Sequence, residues 1–283
     1  MIPIEICIEA SDAAAVERSV SAAYEGGAAT IELCADMHLD GLTPARACLA
    51  AARRACRQRP GLMAMIRPRA SDFCYSPTEL ALMLEQIDMA AADGADGVVF
   101  GVVRADDQCI DLEASRRLLA AAQGHGLKAT MHRAFDATPD PDATLDALIE
   151  LGVDRVLTSG LPWGTKGTAL DGAPRLAATI QRAQERIEIV LAGGISPANV
   201  GPLLARLPLH AGRVSVHAHS GAQIRGQTTV EAVRELVVAV QRASPGALAD
   251  VRGSSNSGSG WSSQIAAQVA QPDAQPMHGD NRE

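Results

Sequence analysis

The stretch from Leu62 to Ser76 reads Leu-Met-Ala-Met-Ile-Arg-Pro-Arg-Ala-Ser-Asp-Phe-Cys-Tyr-Ser, and Pro77 then opens a helical pattern. Its apolar start has the length of a buried strand. Pro68 predicts the end of that strand, because proline cannot donate to a sheet ladder. Proteins of the α/β class place their chemistry in such strand-to-helix turns. Arg67 and Arg69 are two residues apart and, in an extended chain, point to the same side. A solvated loop is the alternative interpretation.

Outward from this stretch, a short β-rich run followed by a helical pattern recurs along the chain. Such alternation is typical of parallel sheets. The second helix is predicted to begin at Thr43-Pro44, since proline is favoured at the first helical position. The eight predicted strands are 4–8, 30–34, 63–67, 97–102, 128–132, 155–160, 187–192 and 213–217.

Eight strand–helix units predict an α/β fold in which the sheet closes into a single-domain (β/α)₈ TIM barrel. An open, doubly wound sheet is the alternative. We expect the barrel to span residues 1–244. From 245 to 283 the chain is rich in Gly, Ser, Gln, Asp and Pro. This composition predicts a low-complexity, disordered tail, because such a segment cannot bury enough apolar surface to order itself.

The composition argues against several classes of partner. A formal net charge of −8 over 283 residues disfavours nucleic acid. No apolar run approaches the ~20 residues of a membrane span, and the first residues lack the pattern of a secretory signal. The six cysteines are scattered without CxxC pairs, which predicts reduced thiols in the cytoplasm. No motif implies an organic cofactor.

Polar residues cluster at the carboxyl ends of the predicted strands or in the turns beyond, whereas the strand beginnings are small or apolar. The carboxyl ends form the active face of such a barrel. Five of the seven aromatic residues follow strands three to six, as expected for a pocket wall, although such residues also pack for stability alone. The polar set is Glu5, Glu32, Arg67, Arg69, His132, Asp136, Thr158, Ser159, His217 and His219, and the aromatic set is Phe73, Tyr75, Phe100, Phe135 and Trp163.

Two glycine-containing turns follow strands seven and eight. Gly193-Gly194 and the segment 218–221 expose backbone N–H groups near a helix start, where barrels commonly bind a phosphate or carboxylate. A Gly-Gly pair can also simply turn the chain. Our interpretation is an anion-binding site at Gly193 and Gly194.

The first two strands carry the same pattern, Glu5-Ile6-Cys7 and Glu32-Leu33-Cys34. Within each pattern the acid and the thiol share a face, and neighbouring parallel strands lie about 4.8 Å apart. Two thiolates on adjacent strands suit a soft ion such as Cu(I). Two small core residues fit the pattern equally well, since free cysteine is among the most buried residue types.

Seven stretches of the chain form a recognisable series: Ile4-Glu5-Ile6-Cys7, Ile31-Glu32-Leu33-Cys34, Gly41-Leu42-Thr43-Pro44, Ile66-Arg67-Pro68-Arg69, Asp72-Phe73-Cys74-Tyr75-Ser76, His132-Arg133-Ala134-Phe135-Asp136 and Arg155-Val156-Leu157-Thr158-Ser159-Gly160. In order and spacing, from residue 4 to about residue 220, they resemble the CutC family of copper homeostasis proteins. The resemblance implies a (β/α)₈ barrel, cytoplasmic residence, self-association into a homo-oligomer and a role in copper handling. The family's copper proposal rests on two cysteines that match Cys7 and Cys34. Its acids, arginines and histidines match Glu5, Glu32, Arg67, Arg69, His132 and His217.

The chain departs from the family pattern in three places. Ala70 and Ser71 replace two glycines of Arg-Pro-Arg-Gly-Gly-Asp, which predicts a different shape for that turn. Ile8 stands where some members carry a second thiol, which weakens a multi-sulfur site. The segment 223–229 is shorter than is usual in the family, which argues against a lid over the mouth.

Two functions of different class follow from these residues. In the first, the protein binds Cu(I) through Cys7 and Cys34 and buffers or delivers it in the cytoplasm. In the second, it is a barrel enzyme that acts on a small anionic or phosphorylated metabolite. A barrel that has lost its activity is the least favoured interpretation.

The enzyme hypothesis assigns roles to the charged residues of the mouth. Arg67 and Arg69 would clamp the anion, because guanidinium groups bind carboxylate and phosphate in a bidentate manner. His132, with Glu5 or Glu32, would transfer protons as general acid–base catalysis requires. Charge-neutralising pairs between these acids and arginines are the alternative interpretation.

Overall fold

The computed structural model describes residues 1–57 and 59–244. Eight parallel strands are hydrogen-bonded in chain order, and the eighth pairs with the first, so the sheet is a closed barrel. The (β/α)₈ prediction is confirmed. The predicted tail, residues 245–283, lies outside the described residues. The strands β1 to β8 are Ile4–Glu9, Thr30–Cys34, Leu62–Met65, Gly97–Phe100, Lys128–Met131, Arg155–Thr158, Glu188–Leu191 and Val214–Ala218.

A helix follows each strand and packs on the outside of the barrel. Several start at a capping side chain: Asp12 accepts from the N–H of Ala15 at 2.8 Å, and Ser76 forms a reciprocal capping box with Glu79. No helix in the described part of the chain is both long and apolar enough to cross a membrane. The helices α1 to α8 are Ala13–Gly26, Arg46–Cys56, Pro77–Ala92, Leu112–Gly124, Pro141–Leu151, Ala173–Ala183, Pro197–Leu204 and Val230–Ala243.

Helix α2 begins at Arg46 rather than at the predicted Thr43-Pro44. The hydroxyl of Thr43 is used elsewhere. It accepts a hydrogen bond from the backbone N–H of Arg67 at 2.8 Å and donates to Gln86 at 2.9 Å. Thr43 therefore holds the chain that leaves β3, and the helix starts one turn later.

The two-residue alternation of each strand divides the barrel into two different cores. Ile6 and Ile8 point outward and join the large apolar cluster between the sheet and the helices. Cys7, between them, belongs to a separate cluster inside the barrel, with Cys34 and Met63 among its members. Because side chains alternate between the faces of a strand, the polar and sulfur-bearing residues of β1 and β2 face the barrel interior.

A buried ion pair lies in the barrel interior. Arg155, the first residue of β6, donates to Glu5 at 2.7 Å and lies 3.4 Å from Glu188, the first residue of β7. The hydroxyl of Thr30 also donates to Glu5, at 3.1 Å. The expectation that the strand beginnings are small or apolar is therefore wrong at these positions. Inside a barrel, charge is tolerated because each ion has an opposite partner and hydrogen bonds.

Replacing Arg155 by methionine should destabilise the fold by about 3–5 kcal/mol, because Glu5 would be left buried without its guanidinium partner. Urea unfolding of wild type and Arg155→Met at neutral pH measures this difference. Arg182→Met is the matched control, since Arg182 pairs with Asp146 on the surface and an exposed ion pair contributes little to stability. An Arg155→Met protein as stable as the control would contradict this account of the interior.

Candidate functional site

A cavity of about 180 Å³ opens at the carboxyl ends of the strands. Ten residues were assigned above to copper binding or anion binding, or were matched to the charged residues of the family; eight of these line the cavity, and two do not. Glu5 lies deeper in the barrel and reaches the cavity wall through His217, whereas Arg69 is not part of the wall. The eight lining residues are Cys7, Glu32, Cys34, Arg67, His132, Gly193, Gly194 and His217.

Arg69 stabilises the loop between β3 and α3 instead of facing the cavity. Its guanidinium donates to Asp72 at 2.9 Å and to Glu79 at 2.5 Å, and it packs over the ring of Tyr75. Arg67 is buried and lines the cavity. The structure thus separates the two arginines, because β3 ends at Met65 and the chain that follows it is no longer an extended strand.

Three sulfur atoms meet at one side of the cavity. The thiol of Cys7 lies 3.8 Å from that of Cys34 and 3.7 Å from the thioether of Met37. Both cysteines are 1% exposed, and Met37 is half-buried. The predicted adjacency follows from the register, in which Cys7 is opposite Glu32 and Glu9 is opposite Cys34.

Met37 was not among the residues predicted from the sequence. It lies in a short 3₁₀ helix, Met37–Leu39, directly after β2. Gly41, with φ +86°, brings the returning chain close: a Cβ at Gly41 would lie 3.4 Å from the Cys34 sulfur and 3.6 Å from the Met37 sulfur. The usable sequence signal was the spacing Cys34-x-x-Met37 at a strand end.

A row of acid and imidazole groups connects the ion pair to the sulfur atoms. His217 lies 3.0 Å from Glu5 through Nδ1 and 3.6 Å from Glu32 through Nε2, and the thiol of Cys34 donates to Glu32 at 3.4 Å. Two sets of these side chains are close enough to share a metal ion: Cys7, Glu32 and Cys34, or Glu5, Glu32 and His217.

The protonation of this row is set by burial and by neighbouring charge. Burial by itself raises the pKa of Glu5, but the charge of Arg155 and the hydrogen bond from His217 outweigh it, so the pKa of Glu5 is well below its usual range. Burial raises the pKa of Glu32. Burial lowers the pKa of His217, but Glu32 and the contacts with Cys7 and Glu5 outweigh this effect and raise it.

The thiol of Cys34 is held in its protonated form. Its hydrogen bond with Cys7, together with burial, raises the pKa of Cys34 well above the usual value of a thiol. A metal ion that binds here has to displace that proton, since the thiolate is the ligand.

The opposite wall is cationic and aromatic. Arg67 lies over the ring of Phe73 at 5.1 Å, and Phe73 packs edge-on against Trp163 at 5.0 Å. His132 lies 4.9 Å from the ring of Phe73. Burial and the charge of Arg67 lower the pKa of His132 to about 3, so its ring is neutral near pH 7.

The other aromatic residues of the predicted set do not line the cavity. Phe100 and Phe135 are buried in the large apolar core, and Tyr75 packs against its margin. The aromatic wall is therefore smaller than the sequence suggested.

Gly193 and Gly194 lie where the sequence predicted, at the end of β7, and both line the cavity. Both have a left-handed backbone, with φ of +102° and +62°, which favours glycine. A Cβ at Gly193 would lie 2.8 Å from the Cβ of Ser159, so this turn has no room for a side chain.

Asp136 has a structural role beside the cavity. It accepts hydrogen bonds from the hydroxyl of Thr158 at 2.5 Å and from the N–H of Ser159 at 3.1 Å. It also pairs with Arg133 at 2.9 Å, and Arg133 in turn covers the ring of Trp163.

His219 lines the cavity next to strand β8.

A family model described as the CutC family matches residues 2–222. The chain belongs to the CutC family. A CutC family protein from Caulobacter vibrioides (strain NA1000 / CB15N) is 38% identical over 223 residues, which cover 79% of this chain and 83% of that relative. One from Bacteroides thetaiotaomicron is 40% identical over 207 residues, covering 73% of this chain and 78% of that relative.

One solved structure agrees with this family assignment, and a second shares the fold. A CutC from Streptococcus agalactiae, described as a candidate copper homeostasis protein, matches this CutC chain with a TM-score of 0.66 and 28% identity, covering 77% of this chain and 99% of that one. A deoxyribose phosphate aldolase from Aeropyrum pernix matches with a TM-score of 0.56 and 18% identity, covering 82% and 90%. The second similarity shows the barrel fold alone.

Loss of His217 should change how stability depends on pH. Because its pKa is raised in the fold, the imidazolium contributes stability fully below its ordinary pKa of 6.5 and loses that contribution as the pH rises through the folded pKa. The free energy of unfolding falls by up to ~1.4 kcal/mol per pH unit in this range. Urea unfolding between about pH 6 and about pH 9 should therefore show that the stability difference between wild type and His217→Gln decreases as the pH rises.

His125→Gln is the control for this experiment, because it removes an exposed imidazole that contacts Asp88 on the surface. Its stability should follow that of wild type across the whole range. A constant difference between wild type and His217→Gln would contradict the inferred imidazolium.

Proposed function

We propose that this protein binds Cu(I) through the thiolates of Cys7 and Cys34, with the thioether of Met37 as a third ligand. The observation that carries the proposal is the contact of three sulfur atoms at the wall of an accessible cavity. In this function the protein buffers or delivers copper in the reducing environment of the cytoplasm.

The separation of the sulfur atoms suits a shared ion. Two sulfurs 3.8 Å apart can both lie about 2.3 Å from a metal ion, a typical metal–thiolate distance, if the ion is displaced to one side of the line that joins them. The thioether of Met37 is 3.7 Å from Cys7 and can close the coordination from that side.

The chemical type of the ligands favours Cu(I) over other ions. Thiolate and thioether are soft ligands that select Cu(I), whereas calcium and magnesium prefer oxygen. Structural zinc sites take four thiolate or imidazole ligands. Here the third sulfur beside the two thiols is the thioether of a methionine, which is a poor ligand for zinc.

The surrounding charges support a monovalent ion. Two thiolates and one Cu(I) carry a net charge of −1, which is costly to bury without compensation. His217 contacts Cys7, and its raised pKa keeps the ring positively charged. The site thus offsets the extra negative charge of a bound copper–thiolate group.

Family membership supports the same function. The relative from Streptococcus agalactiae is described as a candidate copper homeostasis protein, and the resemblance to the family implies that Cys7 and Cys34 are the cysteines on which its copper role rests. The free, unpaired state of all six cysteines fits a reducing compartment.

The proposal is tested by titrating the protein with Cu(I) against a competing chelator, without oxygen and with a reductant. We expect one tightly bound ion per chain in wild type. In the Cys7→Ser/Cys34→Ser double variant the affinity should fall at least about a hundredfold, since both soft anionic ligands are lost.

Cys48→Ser is the control, because Cys48 is a buried thiol of α2 outside the cluster. It should bind Cu(I) like wild type. If copper binds the double variant as tightly as it binds wild type, Cys7 and Cys34 are not ligands and have a purely structural role.

The contribution of Met37 is tested separately. Met37→Leu keeps the size of the side chain and removes the thioether, so the Cu(I) affinity should fall by roughly tenfold. Met65→Leu is the matched control, since Met65 lines the same cavity and lies outside the group of three touching sulfur atoms. Equal affinities of the two variants would exclude Met37 as a ligand.

A further inference from the structure

Arg67 is a buried cation that faces the cavity without an acidic partner. Its side chain is 2% exposed, and it donates to the carbonyl oxygens of Leu39 at 2.8 Å, Gly41 at 3.1 Å and Ser71 at 3.1 Å. No carboxylate in residues 1–57 or 59–244 forms an ion pair with it, and its Nε has no hydrogen-bond partner. A buried charge of this kind is normally compensated by an opposite one.

Arg155, the other buried arginine of the described chain, shows the normal pattern and pairs with Glu5. Arg69, two residues along the chain from Arg67, pairs with Asp72 and Glu79. Arg67 differs from both in having no carboxylate partner.

A second unpaired donor lies on the same wall. His132 is 3% exposed and uses Nδ1 to accept the N–H of Ala134 at 3.1 Å, which places the ring proton on Nε2. The Nε2 atom is buried and has no hydrogen-bond partner among the described residues. The ring is neutral because burial and Arg67 lower its pKa to about 3, so it offers a neutral N–H donor.

Backbone donors complete the set. In the described chain the N–H groups of Gly193, Gly194 and Ile195 donate to no protein acceptor, although the next N–H, that of Ser196, is bonded to Asn199 at 2.9 Å. All three unbonded residues line the cavity. Backbone N–H groups near a helix start bind anions well.

We propose that this wall is a second binding site, for a small organic anion that carries a phosphate or carboxylate group, held by Arg67, the Nε2 proton of His132 and the N–H groups of residues 193–195. Phe73 and Trp163 contact the apolar part of the ligand. The cavity of about 180 Å³ holds more than one water molecule, so the part of the ligand that enters it is small. Asp40, at the exposed rim, disfavours anions that extend outward.

This site does not depend on the copper proposal, because none of its donors belongs to the sulfur cluster. The test uses copper-free protein and 2-phosphoglycolate, which carries one phosphate and one carboxylate on a two-carbon unit. Isothermal titration should show one bound molecule per chain. Because no copper is present, this result does not depend on whether Cys7 and Cys34 bind the ion.

Two variants remove the donors of the proposed site. His132→Asn keeps an acceptor for the N–H of Ala134 and deletes the Nε2 donor, so the affinity for 2-phosphoglycolate should fall about tenfold. Arg67→Gln removes the charge and should weaken binding by about a hundredfold. If Arg67→Gln does not fold, His132→Asn alone decides the outcome.

Arg116→Gln removes one positive charge from the exposed face of α4 and is the control for net charge. It should leave the affinity unchanged. Wild-type protein that takes up no 2-phosphoglycolate would overturn the proposal. A His132→Asn variant that binds the anion as tightly as Arg116→Gln does would overturn it as well.

Discussion

The buried ion pair between Glu5 and Arg155 is the interaction around which the barrel interior is arranged. It joins the first strand to the sixth across the axis, at 2.7 Å. Glu5 also accepts from His217, which positions the imidazole in the cavity wall. The charge of Glu32 and the contacts with Cys7 and Glu5 raise the pKa of His217, so the charge beside the sulfur atoms is set by residues far apart in the sequence.

Above this ion pair the cavity has two chemically different walls. The wall formed by β1 and β2 carries thiols, a thioether and a carboxyl group of raised pKa. The facing wall carries an unpaired guanidinium, a neutral imidazole and two aromatic rings. Under the two proposals, a soft cation and a small anion bind to separate donors in one cavity. Such an arrangement would account for a complete barrel with a polar mouth in a copper-binding protein.

The sequence predicted the barrel and the two thiols because both depend on local periodicity. Glu5-Ile6-Cys7 and Glu32-Leu33-Cys34 alternate between faces, and consecutive strands are neighbours in such a fold. The role of Arg155 was not predictable in this way, since its partner Glu5 is 150 residues away and meets it only when the barrel closes. Met37 and Arg69 were misjudged because their positions depend on irregular turns, where periodicity carries no information.

If copper is held by sulfur atoms alone, X-ray absorption of the Cu(I)-loaded protein tests this coordination most directly. We expect three sulfur neighbours at about 2.3 Å, the usual metal–thiolate range, with no nitrogen or oxygen bound to the ion. A copper environment dominated by nitrogen or oxygen would place the ion on histidine or carboxylate groups, and would contradict the assignment of Cys7, Cys34 and Met37 as its ligands.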